Sequence, residues 1–175
     1  MRINCHMCSL SRLLVLLALL LVSFGCGQKS DPEPLDAAME LQAAGKTDAA
    51  IHLLAAEDIE KNFQASSLRT LKMSEKQFLA LTSWRQKQSQ EELFQMVPLI
   101  KRAVYFQIEQ MQAAEAADQS AEAKRLREQI ERLIRNLQDK NRVLIYQQLG
   151  GGIDKKLKQV TSKKQASEAE STAPD

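Results

Sequence analysis

Few residues in this chain could do chemistry. Its 175 residues include three cysteines, Cys5, Cys8 and Cys26, and two histidines, His6 and His52. Cys5 and Cys8 enclose His6 and Met7 as a C-x-x-C pair, a spacing that suits a redox couple or half a zinc site. His52 has Asp48 four residues before it and Glu57 five after, the ingredients of a metal pair on one helix. The acids Glu57/Glu60, Glu115/Asp118 and Glu128/Glu131 are each three apart, the spacing of a shared helix face. A di-metal bundle site needs histidines to complete such pairs, and His52 alone does not supply them. No G-x-S-x-G, P-loop or G-x-G-x-x-G occurs, and a Ser-His-Asp set would have to be built around His52. These residues predict no enzyme site, no metal and no cofactor. The acid pairs read as solvated faces, and His52 as a surface or partly packed residue.

The amino end is organised differently. Arg2 and Arg12 and no acid precede ten unbroken apolar residues, Leu13 to Val22, followed by Ser23-Phe24-Gly25-Cys26. A basic start, a short apolar run and small residues have the layout of a secretory signal. Ten helical residues cover about 15 Å, roughly half of a hydrocarbon core, so a retained anchor is the weaker alternative. The stretch resembles the signal of bacterial lipoproteins, in which an aliphatic residue, a small residue and Gly or Ala precede the modified Cys. Gly25 and Cys26 match, and Ser23 and Phe24 depart from the preferred types. The resemblance implies cleavage between Gly25 and Cys26 and a diacylglycerol on the Cys26 thiol, with a further acyl chain such as palmitate on the new amino group. Two or more chains hold a protein stably on a bilayer. Gly27, where an Asp would favour the inner membrane, implies the outer membrane facing the periplasm.

That reading changes the rest of the chain. The C-x-x-C lies in the expected signal peptide, 1–25, and an acylated Cys26 leaves no thiol for disulfides or metal. Removing Arg2 and Arg12 takes Lys+Arg from 24 to 22 against 22 Asp+Glu, so a formal charge of +2 becomes zero. A neutral balance gives no reason to expect nucleic acid.

Residues 26–35, with two prolines, form a polar tether, expected to be flexible. Residues 36–160 are expected to be a helical domain, since glycine is scarce and Ala, Leu, Gln, Glu, Lys and Arg are abundant. Asp36 is placed to cap a helix from Ala37 to Ala44, and Gly45 to end it. Thr47 is placed to cap a second helix from Asp48, with Ile51, Leu54, Ala55 and Ile59 inward. Leu41-x₃-Gly45-Lys46-x-Asp48-x-Ala50-Ile51-x₂-Leu54 is similar to the turn and second helix of a tetratricopeptide repeat. The small residue at Ala50 would there let two helices approach. Ala43-Ala44 and Ala50-x₂-Leu53 are echoed by Ala116-Ala117 and Ala123-x₂-Leu126, 73 residues on. That offset is no multiple of the repeat's roughly 34 residues, so the expectation is a plain helical hairpin.

Phe63 to Met73 should connect. Ser74-Glu-Lys-Gln77 is a capping box, opening a helix through Phe78, Leu81 and Trp84, and Ser89-Gln-Glu-Glu92 is a second box. From there Leu93, Met96/Val97, Ile100, Val104, Ile108, Met111 and Ala114 keep helical phase across Pro98, which predicts one kinked helix. After a turn at Asp118 with Ser120 as cap, Ala123, Leu126, Ile130, Leu133, Leu137 and Leu144 follow a coiled-coil-like heptad. Lys124–Glu128, Glu128–Arg132 and Glu131–Arg135 are placed to pair on its outer face. Asp139 is an alternative start for a fresh helix. Helices 90–117 and 121–148 are expected to pair antiparallel, with the amino-terminal hairpin over their apolar faces. Gly150-Gly151-Gly152 should stop the helix or act as a hinge, with a short amphipathic piece at Ile153, Leu157 and Val160. Residues 161–175 read as a disordered tail.

The fold class is therefore all-α: an N-terminal helical hairpin packed on a long antiparallel helical hairpin, a small helical bundle. Trp84, Phe94, Tyr105, Phe106 and Tyr146 should mostly be core, and whichever of Tyr105 and Phe106 faces outward is the candidate partner anchor. The expected function is a membrane-anchored, non-catalytic interaction or scaffold module of the bacterial cell envelope, binding a protein partner or itself. A helical small-molecule carrier, with Trp84 and methionines around a cavity, is the second reading. An enzyme with an unrecognised site is the third.

Overall fold

The computed structural model describes residues 33–171. Gly25, Cys26 and the expected signal lie outside those residues, as do linker positions 26–32 and tail positions 172–175. Among the described residues the chain is all-α, with no strand. In order come α1 (Pro34–Ala43), α2 (Thr47–Ala55), α3 (Ile59–Ala65), a 3₁₀ turn (Arg69–Lys72), α4 (Glu75–Leu79), α5 (Ser83–Ala116), α6 (Ser120–Leu137) and α7 (Leu144–Ser171). Helix α5 is central: α2, α6 and α7 all lie against it, α1 lies against α2, and α3 against α6.

Helix α1 begins before the expected boundary. Pro34 takes the first helical turn, where its missing N–H has no partner to lose, and Leu35, expected in the linker, is wholly buried. Asp36 is not the cap. It sits inside the first turn, and its carboxylate accepts from Ser66 Oγ at 2.5 Å and from the Ser67 backbone N–H at 3.1 Å. Those bonds tie α1 to the loop after α3. Burial pushes this carboxyl upward, and the hydrogen bonds from Ser66 and Ser67, with the charge of Lys72, outweigh it. The net result is a pKa below the ordinary 3.8.

Gly45 ends α1 as expected, in a Schellman turn. The Lys46 N–H donates to Leu41 O at 2.9 Å and the Gly45 N–H to Gln42 O at 3.0 Å, with Gly45 at φ 75°. Thr47 is then the first residue of α2 rather than its cap. The same turn joins α5 to α6. There the Gln119 N–H donates to Ala114 O at 2.9 Å and the Asp118 N–H to Glu115 O at 3.2 Å, with Asp118 at φ 58°. Ala50 and Ala123, at matching places after the two turns, are both buried. The sequence echo is thus two copies of one helix–turn–helix geometry.

Ile59, expected inward at the end of the second helix, instead opens a separate helix, α3, whose last residues run into the stretch expected only to connect; Ile59 and Phe63 are both buried. The Ser74 box forms in both halves, but its helix, α4, is five residues long and stops before Trp84. The Ser89 box ends nothing, because α5 runs unbroken for 34 residues through it and through Pro98. Pro98 removes the donor for the Phe94 carbonyl, and both residues are exposed, so solvent can take the donor's place. The expected stripe of α5 is buried, and Leu99, Ala103 and Gln107 are buried with it. Gln107, 2% exposed, donates from Nε2 to Ala55 O and Glu57 O, both at 2.9 Å. Carbonyls left without helical partners at the end of α2 are satisfied there by α5.

In α6 the heptad residues Ala123, Leu126, Ile130, Leu133 and Leu137 are all buried. Lys124 pairs with Glu128 at 4.0 Å, while Arg132 turns instead to Asp58 at 2.8 Å and fixes α3 against α6. The helix does not continue to 148. Asp139 turns the chain, accepting from the Asn141 N–H at 2.8 Å and, through its carbonyl, from the Arg142 N–H at 2.9 Å. Helix phase is reset by that turn, so Leu144 leaves the heptad face and is 52% exposed. The triple glycine does not stop α7, which passes through it and on to Ser171, beyond the expected tail boundary. Burial of Tyr146, Leu149, Ile153 and Leu157 outweighs a propensity cost of about 1 kcal/mol per glycine. Gly150 also has a reason of its own. A Cβ there would meet Gln138 Cγ at 2.9 Å and Leu137 Cβ at 3.0 Å, so α7 crosses the end of α6 too closely for a side chain.

Gly150→Ala should therefore cost roughly 1–3 kcal/mol, as overpacking does. Gly151→Ala, whose Cβ meets nothing within 4 Å, should gain up to about 1 kcal/mol of helix propensity. Urea denaturation compares them, and shifts of the same sign would show that Gly150 does not set the α6–α7 approach. Folding lowers the Asp36 pKa, so Asp36 contributes stability above its unfolded value and loses it as pH falls through the folded one. Asp36→Asn should be less stable than wild type at neutral pH, and the gap should close below the ordinary 3.8. A gap unchanged down the acid range would show that charge is not what Ser66 and Ser67 hold.

Candidate functional site

The residues flagged for metal or acid–base chemistry are not assembled. His52 is exposed, and its ring meets Phe106 edge-on at 4.7 Å and 85°. Among the described residues no group of three or more His, Cys, Asp and Glu could hold a metal. Glu60 accepts from Asn136 Nδ2 at 3.1 Å, Glu115 pairs with Arg127 at 2.9 Å, and Glu128 pairs with Lys124. Glu128 answers its own helix, Glu115 the next one, and Glu60 the packed helix α6.

A partly buried polar cluster lies where Thr70, Glu92, Tyr146 and Arg142 converge. The Thr70 hydroxyl donates to Glu92, and Arg142 donates to the Leu71 carbonyl and to Asn136 Oδ1 at 2.7 Å. The Tyr146 hydroxyl, 3.9 Å from Met96 Sδ, is held far above its ordinary pKa, chiefly by burial. A phenol so held stays protonated and is no base. The cluster fastens the 3₁₀ turn to α5 and α7.

The surface shows more. Of the aromatics expected in the core, Tyr146 is there at 1% exposure, but Trp84 is 71% and Phe94 70% exposed. Tyr105 and Phe106 are both half-buried, Tyr105 toward Lys156 of α7 and Phe106 toward His52 of α2. Neither is the outward anchor that their adjacency predicts. Phe94 and the displaced Leu144 face outward instead, and they share one groove. Its volume is about 260 Å³, with Phe78, Leu93, Phe94, Val143, Leu144 and Ile145 as its apolar wall. Phe78 and Val143 are buried and form the floor, while Phe94 and Leu144 stand on the rim. Glu75 closes one side and is engaged already, accepting from the Leu144 N–H at 2.8 Å as a cap on α7.

A larger cleft of about 510 Å³ runs between α6 and α7, but its walls carry Arg127, Asp154 and Lys158. Those charges are answered within the chain, Arg127 by Glu115 and Lys158 by Asp154 at 2.7 Å. The small groove is the one with uncompensated chemistry: large apolar side chains left in water, each worth about 1.5–3 kcal/mol on full burial. Phase could not reveal it in the sequence. Leu144 continues the α6 heptad by count, and only the turn at Asp139 turns it outward. Among the described residues no helix is long and apolar enough to cross a membrane. No family, curated protein or solved structure matches the chain.

Proposed function

We propose that this protein is a lipid-anchored module of a bacterial cell envelope that binds another protein through the Phe94–Leu144 groove, without catalysis. The observation that carries the reading is the exposure of those two side chains over an apolar floor. The anchor is Cys26, whose setting resembles a lipoprotein signal, and Gly27 favours the outer membrane facing the periplasm. Seven residues separate Cys26 from the start of α1 and span at most about 25 Å, enough to hold the groove near the membrane surface. A carrier function is less favoured, since drug-sized ligands take cavities of about 300–1,000 Å³ and the groove has neither Trp84 nor a methionine in its wall.

Two readouts test the proposal in cells. Radioactive fatty acid should label the wild type and not Cys26→Ala, and equal labelling of the two removes the anchor. A photo-crosslinking residue at Phe94 should give a discrete crosslinked product in native membranes. The same residue at exposed Gln112 should not, and identical products from both positions would remove the groove.

A further inference from the structure

The groove is one end of a longer seam. Tyr146 meets Met96 and Lys156 meets Tyr105, so α5 and α7 run side by side in the same direction. Gln90, Phe94, Val97, Lys101 and Tyr105 recur at steps of three or four along α5. Ile145, Gln148, Gly152 and Lys156 do the same along α7. Such steps keep residues on one helix face. From Phe94 to Tyr105 the seam covers about 16 Å. At its far end Lys101 Nζ lies 5.5 Å and Lys156 Nζ 5.8 Å from the centroid of the half-buried Tyr105 ring. Neither lysine forms an ion pair among the described residues. Two ammonium groups thus share one aromatic ring, and among the described residues neither has a carboxylate partner, a concentration of positive charge that would favour an anionic group nearby.

Between the two ends lies Gly152. Gly150 is required by the close crossing of α6, but Gly152 is exposed and a Cβ on it would meet nothing within 4 Å. It weakens α7 with no return inside the fold. Placed between Gln148 and Lys156, it leaves a low floor where another backbone can come close.

We propose that the α5–α7 seam takes an acidic amphipathic helix of a partner protein, with an apolar side chain beside Phe94 and Leu144 and a carboxylate between Lys101 and Lys156. This rests on the groove being the binding site. Charge complementarity selects the occupant. A second copy placed about a two-fold axis would present the same patch, whose acid, Glu75, is spent on the Leu144 N–H, and would leave both lysine pairs unanswered. A helix some three turns long spans the apolar and cationic ends and lays its backbone across Gly152.

The test uses the full chain and three synthetic helical peptides of about 18 residues, roughly 27 Å. All share one apolar face and carry Glu, Gln or Lys beside it. The Glu peptide should bind about tenfold tighter than the Gln peptide, the gain expected of two ion pairs at a partly covered surface. Lys101→Glu with Lys156→Glu should shift the preference to the Lys peptide, Phe94→Ser should weaken all three, and Gly152→Leu should block them. Equal affinity for Glu and Lys peptides, or a preference that survives the double reversal, overturns the inference. If no peptide binds while Phe94 still crosslinks in membranes, the helix is wrong and the groove stands; if both fail, the groove falls too. Competition by phosphatidylglycerol vesicles that Phe94→Ser leaves unchanged would assign the lysines to a membrane. A concentration-dependent dimer lost in Phe94→Ser would assign the seam to a second copy, and either result overturns the proposal.

Discussion

Everything described depends on α5 remaining one helix while three others use it as a wall. Ten of its residues are buried, from Leu93 to Ala114, and they cover an arc wide enough for α2 on one side and α6 and α7 on the other. Gln107 is the polar exception on that arc, and its amide is what lets the arc close. With both donors given to Ala55 O and Glu57 O, a buried polar group and two carbonyls at a helix end satisfy one another. Left unmade, each such group would cost about 1–3 kcal/mol. Pro98 is tolerated because it faces away from all three neighbours.

How far the sequence carried depends on whether a signal was local. The Ser74 box and the left-handed Gly45 are read within a few residues, and both formed. The α6 heptad is buried from Ala123 to Leu137 as its spacing predicts and fails only at Leu144, beyond the turn at Asp139. The echo at Ala116-Ala117 matched the Gly45 turn even though Asp118 stands where the glycine would. The failures share a cause, which is that partners outside the window decide. A capping box at Ser89 cannot end a helix whose apolar stripe is being covered on both sides. Three glycines cannot stop α7 when Tyr146, Ile153 and Leu157 are buried across them and Gly150 admits the end of α6. Spacing along the helices predicts mostly buried aromatics, yet Phe94 and Trp84 are exposed.

Exposure of Phe94 and Leu144 over an apolar floor is the observation on which the proposed binding reading rests. The architecture leaves the α5–α7 seam open because α2 and α6 cover the other sides of α5. Along it follow an apolar groove, a low glycine floor and two lysines that, among the described residues, meet the Tyr105 ring and no carboxylate. On the proposed reading, an acylated Cys26 would hold the domain close to a membrane and to whatever is anchored there, raising local concentration without any new contact.

Chemical denaturation of the Phe94→Ser, Leu144→Ser double variant, beside Phe78→Ser, tests most directly whether the rim belongs to binding rather than to the fold. The rim variant is predicted to stay within about 0.5 kcal/mol of wild type, as exposed positions do. Phe78, 7% exposed in the floor, should cost about 3 kcal/mol or more. A loss of about 2 kcal/mol or more in the rim variant would show that Phe94 and Leu144 serve the core, and would contradict the account.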